Sequence, residues 1–313
     1  MSESHLTSVI VVTWNTSELT TSCLRSIFDK NGGVPLDVIV VDNASTDSTR
    51  DEVARSFPGA HVIANERNVG FARAVNQALR VARGDPIVLV NSDTVLVSEG
   101  SLARIGAFLE RNPRVGIVGV KLLSKNGRVQ SLGRPFLSLK TLVASQIFFS
   151  SASAFARKSR PAAGAEAIAV DCVDGAFLAI RRDVVSRIGP MNERYFMFAE
   201  DTEWCLAARR EGWEVAVLPE VEVLHLHGQS ALKDFARALV VNAVSVSRFV
   251  GATRGAAEGR TAFCVIALGM LLRIPVNLVR DPARSLAYAK GFRRCAAMLP
   301  RLGAIIEGDE DVS

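Results

Sequence analysis

The sequence is poor in aromatic residues, which make up 6% of its 313 positions and include only 2 tyrosines. A core with so few rings has to be aliphatic. Apolar residues reach 49%, enough for one large α/β domain or a domain with a smaller appendage. The 5 cysteines, Cys23, Cys172, Cys205, Cys264 and Cys295, are odd in number and scattered, with no CxxC pair. That pattern argues against a disulfide framework or a zinc site and fits a reducing compartment. Charge of one sign is also scarce. A net charge of +5 is too small for a dedicated nucleic-acid binder and suits acidic small molecules or an anionic membrane surface. No basic stretch followed by an apolar one opens the sequence, so no secretion signal is expected. No internal repeat is evident.

What is present is an alternation of short β-branched runs and helical spacing. Ser8 to Thr13, Asp37 to Val41, His61 to Ile63, Ile87 to Val90 and Val115 to Val120 read as strands. Between them, Leu19 to Phe28, Arg50 to Phe57, Gly70 to Arg83 and Leu102 to Leu109 carry apolar residues at helical intervals, and Thr16 or Ser17 can cap the first. The order predicts a mostly parallel sheet with helices on both faces. From Gly133 to Ala169 the pattern weakens into an irregular or partly helical insertion containing Phe148, Phe149 and Arg157-Lys-Ser-Arg160. Strand signals return at Ala176 to Ile180 and Val215 to Leu218, with a helix from Asp201 to Glu211 between them.

Asn15, Asp42 and Asp93 each end a predicted strand, and ligands in such sheets bind beyond the carboxyl ends of the strands. Asp93, after Asn91 and Ser92, can hold a divalent ion against phosphate oxygens, or it can cap the next helix. Asp42 can accept hydrogen bonds from a base or ribose, or serve the turn-rich stretch that follows it. Glu200-Asp201 follows the apolar run from Tyr195 to Ala199. Desolvation there would favour general-base chemistry, while the same acids also suit a helix N-terminus. His225 and His227 share a face if their stretch is extended, as ligands or as structural residues.

Seven segments together form a family pattern. In order they are Ser8-Val-Ile-Val-Val-Thr-Trp-Asn15, Val40-Val-Asp-Asn-Ala-Ser-Thr-Asp47, Asn68-Val-Gly-Phe-Ala-Arg-Ala-Val-Asn76, Leu89-Val-Asn-Ser-Asp93, Val173-Asp-Gly-Ala-Phe177, Phe196-Met-Phe-Ala-Glu-Asp201 and His225-Leu-His-Gly-Gln-Ser230. Over residues 8–230 the chain resembles the family-2 inverting glycosyltransferases of the GT-A fold, in particular their bacterial rhamnosyltransferase-like branch. The resemblance implies an α/β, Rossmann-like, mostly parallel mixed sheet flanked by helices. It implies a nucleoside held by Asp42 with Thr13, Asn15 and Asn43 in the same pocket. Asn68, Gly70, Arg73 and Asn76 would lie beside the base and diphosphate, with Arg73 on the diphosphate. Asp93, beside Ser92, would be the one acid left of a metal motif and would hold Mg²⁺ or Mn²⁺ with His227, or with His225 in its place. Asp174 and Gly175 would face the donor sugar or acceptor. Asp201 would be the general base of a single inverting displacement, with Glu200 beside it.

The resemblance ends near Ser230. Between Ala231 and Gly303 stand 12 lysines and arginines against 3 acids, so this region is expected to be helical and basic. Its charge-free run Ala262 to Leu272 stops at Arg273, short of the roughly 20 apolar residues that span a bilayer. An interfacial helix follows as the expectation, beside the alternative of an ordinary helical subdomain. The expected organisation is a catalytic domain over 1–230, a helical region over 231–306 and an acidic, disordered end over 307–313. The expected partners are a nucleoside-diphosphate sugar, a glycan or polyprenyl-diphosphate-linked acceptor and the inner face of the plasma membrane, reached from the cytoplasm. A sugar-phosphate nucleotidyltransferase would show a glycine-rich, arginine-bearing loop after the first strand, where this chain has Thr13-Trp-Asn-Thr-Ser17. A non-catalytic sugar-nucleotide binder would not need both Asp93 and Asp201.

Overall fold

A computed structural model describes residues 6–148, 166–226 and 233–307. They divide into two compact units. The first holds the described chain to Pro135, then 166–192, and from Asp201 to the end of the last strand; the second takes 136–148, Glu193–Glu200 and 233–307.

The first unit begins β1 (Thr7–Thr13), α1 (Ser17–Lys30), β2 (Leu36–Asp42), α2 (Thr49–Ser56), β3 (His61–Ala64), α3 (Phe71–Leu79) and β4 (Ile87–Asn91). The predicted runs therefore form the predicted elements, with ends moved by a residue or a few. Val9, Val11, Val38, Val40, Val88 and Val90 share one buried cluster with Cys23, Leu24 and Ile27 of α1. Side chains alternate along a strand, so Ile10, Ile39 and Leu89 face the other way. They are equally buried, and α3 packs on β1 and β2. Cover on both faces is why these strands read as unbroken apolar runs.

The unit continues through β5 (Thr94–Leu96), α4 (Ser101–Arg111), β6 (Val115–Leu123), β7 (Val129–Ser131), β8 (Ile168–Ala169), β9 (Phe177–Ile180), α6 (Arg182–Ile188), α7 (Glu200–Arg210) and β10 (Glu214–His225), with α5 (Leu139–Gln146) belonging to the second unit. The spine of the sheet runs β3-β2-β1-β4-β9-β6-β10-β5. β1 to β4, β6 and β10 point one way; β9 and β5 are reversed, each pairing antiparallel with its neighbours. β5, β7, β8 and α6 are too short to announce themselves as apolar periods. The expected strand at Val215 to Leu218 is only the first part of β10, which crosses Pro219 with a register shift between Leu218 and Glu222 and runs on to His225. A bulge tolerates the missing N–H of proline.

The second unit is helical: α5, α8 (Phe235–Arg254), α9 (Ala256–Leu278), α10 (Pro282–Met298) and α11 (Leu302–Glu307). α8 and α9 meet where a Cβ on Gly259 would come within 2.8 Å of the Gly251 Cα and the Ser247 carbonyl, so only glycine permits the crossing. Arg273 does not end its helix. Its guanidinium donates to the Gln146 carbonyl at 2.9 Å, the Ser145 carbonyl at 2.9 Å and the Gly269 carbonyl at 2.8 Å. It thus caps the C-terminal end of α5. The charge-free run is therefore part of a 23-residue helix that passes Pro275, and α8 and α9 are both long and apolar enough to cross a membrane by length and composition. The segment Phe149 to Arg160 and the end beyond Glu307 lie outside the described residues.

Candidate active site

The strand directions place the candidate residues at one edge of the sheet. β1, β2, β4 and β10 deliver their C-terminal ends there. Because β9 is reversed, the loop that precedes it, Asp174-Gly175-Ala176, lies at the same edge. Asn91 N–H donates to the Ala176 carbonyl at 3.0 Å, and the Thr94 hydroxyl reaches the same oxygen at 3.3 Å.

On the β1–β2 side, most of the expected contacts are engaged within the protein. The Thr13 hydroxyl lies in a buried cluster with Thr20 at 2.7 Å and Thr16 at 3.0 Å, and Thr16 reaches Ser92 at 3.2 Å. These hydroxyls tie the start of α1 to the turns after β1 and β4. Asn15 adopts φ 53°, and its Oδ1 accepts from Thr46 N–H at 2.6 Å, stapling the β1 turn to the β2 turn. Both oxygens of Asp42 accept from Ser45 N–H at 3.3 Å. Asn43 donates to the Gly70 carbonyl at 3.2 Å, and Asn68 Oδ1 accepts from Gly70 N–H at 3.0 Å, so both asparagines shape the glycine turn that starts α3. Asn76 is buried and exchanges two hydrogen bonds with the Met191 backbone, at 2.8 and 2.9 Å. Arg73 is exposed on α3.

Asp93 and His225 meet directly. His225 ends β10 opposite Thr94, and its Nε2 stands 3.4 Å from Asp93 Oδ1. Its Nδ1 is 3.0 Å from the Gln130 amide nitrogen. His225 is thus placed at Asp93, and His227 lies outside the described residues. Among the described residues no group of three or more His, Cys, Asp or Glu side chains could hold a metal ion. One carboxylate suits an ion whose remaining ligands are water and substrate phosphate, the manner in which Mg²⁺ is commonly bound, and the His225 imidazole stands beside it.

Asp174, Gly175 and Asp201 form a third cluster, centred on Arg134. The guanidinium donates from Nη2 to Asp201 Oδ2 at 2.8 Å, from Nη1 to the Thr202 hydroxyl at 2.7 Å and from Nε to Asp174 Oδ1 at 3.3 Å. Ser131 holds the other Asp174 oxygen. Asp201 Oδ2 also accepts from Gly175 N–H at 2.9 Å, and a Cβ on Gly175 would lie 3.4 Å from that oxygen. Burial opposes the charge on Arg134, but the neighbouring carboxylates, Asp201 foremost, hold the guanidinium positive well beyond its ordinary range. The desolvated acid expected at Asp201 is therefore an ion-paired one. Glu200 beside it is buried. Just before it, Phe198 and Ala199 both sit in the left-handed region, at φ 71° and 66°. Such non-glycine strain, of order 1–3 kcal/mol per residue, concentrates at functional sites. Burial pushes the adjacent Cys172 thiol up to about 12, which leaves it protonated and unsuited to nucleophilic attack.

Gln130, Ser131 and Arg134 are the residues of the candidate site that sequence reasoning missed. They sit on and just after β7, a three-residue strand with neither apolar alternation nor a family motif.

A model of the family described as glycosyltransferase like family 2 matches residues 5–240. The chain belongs to this glycosyltransferase family. It is 26% identical over 231 residues to an N-acetylglucosaminyl-diphospho-decaprenol L-rhamnosyltransferase of Mycobacterium tuberculosis, covering 69% of this chain and 75% of that protein. It is 22% identical over 199 residues to a dTDP-rhamnosyl transferase of Shigella flexneri, covering 63% and 62%. Among solved structures, the mannosyltransferase PcManGT from Pyrobaculum calidifontis, in complex with GDP-Man and Mn²⁺, matches with a TM-score of 0.57 at 19% identity, covering 100% of this chain and 89% of that one. The fold of this family-2 glycosyltransferase is thus the expected GT-A α/β arrangement. Membership also sets aside the nucleotidyltransferase reading.

Proposed function

We propose that this glycosyltransferase moves rhamnose from a dTDP donor to a hydroxyl of a polyprenyl-diphosphate-linked glycan, with inversion at the anomeric carbon. The observation that carries the catalytic part is the shared sheet edge, where Asp93 with His225 and Asp201 with Asp174 are joined through the Ala176 backbone. The choice of sugar and acceptor leans on the rhamnosyltransferase relatives.

In this reading Asp42 receives the nucleoside in a pocket that Thr13, Asn15, Asn43, Asn68 and Asn76 shape, and Arg73 faces the diphosphate. Asp93 and His225 would hold Mg²⁺ or Mn²⁺; when bound, the ion supplies positive charge against the departing diphosphate. His227 remains a second candidate for that role. Asp201 takes the proton of the acceptor hydroxyl as its oxygen attacks opposite the leaving group, and Asp174 orients sugar hydroxyls. One displacement on one face inverts configuration without a covalent intermediate.

The second unit supports a membrane-surface role on the cytoplasmic side. Val276, Leu278, Val279 and Leu286 are exposed around Arg280 and Arg284, and Val279 is 90% exposed. Apolar side chains among arginines suit an anionic bilayer surface, where a lipid-linked acceptor resides.

The test supplies dTDP-rhamnose, with Mn²⁺, to the full chain and a synthetic polyprenyl-diphosphate N-acetylglucosamine. The expected product is a rhamnosylated lipid with inverted anomeric configuration by NMR. Transfer from UDP- or GDP-sugars alone would reject the donor, and retained configuration would reject the single displacement.

A further inference from the structure

The Asp201 carboxylate is fully subscribed. Its Oδ1 accepts from Thr202 N–H at 2.6 Å and the Thr202 hydroxyl at 3.1 Å. Its Oδ2 accepts from Gly175 N–H at 2.9 Å and Arg134 Nη2 at 2.8 Å. A carboxylate offers about four lone-pair sites, so four donors leave none for an acceptor's proton. One donor must withdraw before Asp201 can act as a base. Two of the four are backbone N–H groups. The third belongs to Thr202, which is 1% exposed and closed to an incoming sugar. The fourth belongs to Arg134, whose side chain is 30% exposed, beside Asp174 at 31%. The way in is therefore on the Arg134 side, beside the half-buried Asp174.

We propose that Arg134 is a specificity-determining residue: it occupies the proton-accepting position of Asp201 until an acceptor hydroxyl displaces it, and so denies that position to water. Asp174 retains the withdrawn guanidinium through Nε, aided by Ser131. Water is the competitor because it needs no binding site. In the wasteful reaction its proton goes to Asp201, its oxygen bonds to the anomeric carbon, and the bond from that carbon to the diphosphate oxygen breaks, releasing free sugar and nucleoside diphosphate. A guanidinium anchored at both ends yields only to a ligand bound well enough to replace its hydrogen bond, which a sugar acceptor is and a water molecule is not.

The inference rests on the reading of Asp201 as the base, and the experiment separates the two. Acceptor-independent hydrolysis of the nucleotide sugar and transfer to acceptor are measured side by side for wild type, Arg134→Gln, Arg134→Lys, Asp201→Asn and Arg134→Gln/Asp201→Asn. Arg134→Gln should raise the ratio of hydrolysis to transfer by roughly tenfold or more, on the scale of a general-base contribution. Arg134→Lys, which keeps the charge but loses the two-ended anchorage on Asp174 and Asp201, should raise the ratio by a smaller amount, roughly threefold or more. The double variant should lose the added hydrolysis. A merely structural Arg134 would lower both rates together and leave the ratio unchanged, which overturns the proposal. Should Arg134→Gln fail to fold, an unchanged ratio for Arg134→Lys overturns it as well, because the two-ended anchor would then be lost without effect. Normal transfer by Asp201→Asn sinks the base reading itself, whatever Arg134 does.

Discussion

Asp201→Asn is the substitution with the most to reveal, because the surroundings of Asp201 make it more than the loss of a charge. Both oxygens face donors: Thr202 N–H at 2.6 Å on one side, Arg134 and Gly175 N–H at 2.8 and 2.9 Å on the other. An asparagine must turn its NH₂ to one of these sides. Toward Thr202 it meets a backbone N–H; toward Gly175 it meets a second N–H and a guanidinium. Either choice leaves a buried donor unpaired, at about 1–3 kcal/mol, and removes the main counter-ion of Arg134. Removing a general base costs a further 10²–10⁴-fold in turnover, about 3–5 kcal/mol of transition-state stabilisation. The two effects separate in assay. Thermal unfolding reports the first; transfer assayed well below the melting temperature reports the second. Calorimetric binding of nucleoside diphosphate should stay within about twofold, since Asp201 belongs to the acceptor side. Transfer within threefold of wild type would refute the assignment, and so would a loss of transfer matched by an equal loss of nucleotide affinity.

Three further outcomes are expected. Asp93→Asn and His225→Asn should each weaken Mn²⁺-dependent binding of nucleoside diphosphate by roughly tenfold or more while sparing metal-free binding; unchanged manganese dependence in titration calorimetry would remove both from the ion's site. At the opposite edge of the sheet, Asp37 accepts from the Ser8 hydroxyl at 2.7 Å and from Arg83 N–H at 2.9 Å. Burial works against its charge, yet these bonds hold its carboxyl below the ordinary 3.8, so its stabilisation is present above about pH 4 and is lost as pH falls through the lower folded value. Asp37→Asn should then cost roughly 2–3 kcal/mol in urea unfolding at pH 7, with a gap that narrows below pH 4; a pH-independent gap would contradict this. Replacing Leu278 and Val279 by Asp should reduce co-sedimentation with anionic vesicles at least about tenfold, given 1.5–3 kcal/mol per buried apolar side chain, and equal binding would reject this face as the membrane contact.

The order of elements, the strands covered on both faces and the family were legible in the chain alone. Each is written locally: β-branched runs such as Val9 to Val12, helical spacing in Phe71 to Leu79, and small polar residues at strand ends. The buried ends Asp42 and Asp93 could be placed at one edge because parallel strands deliver their C-termini together. Other features depend on long-range pairing that no local pattern encodes. The reversal of β9 brings Asp174 and Gly175 to that edge, and a sequence period carries no strand direction. Asp93 meets His225 because β5 pairs with the far end of β10, where His225 lies opposite Thr94 although 131 residues further along the chain. Arg134 lies in a stretch without periodicity, and only the tertiary structure sets its guanidinium between two carboxylates. Arg273 makes the same point: along the sequence it interrupts an apolar run, while in the fold it caps a helix 127 residues earlier. Local propensity and patterning determine which elements form. Which of their polar ends face each other is decided by packing, since a buried charge or donor persists only where the fold supplies its partner.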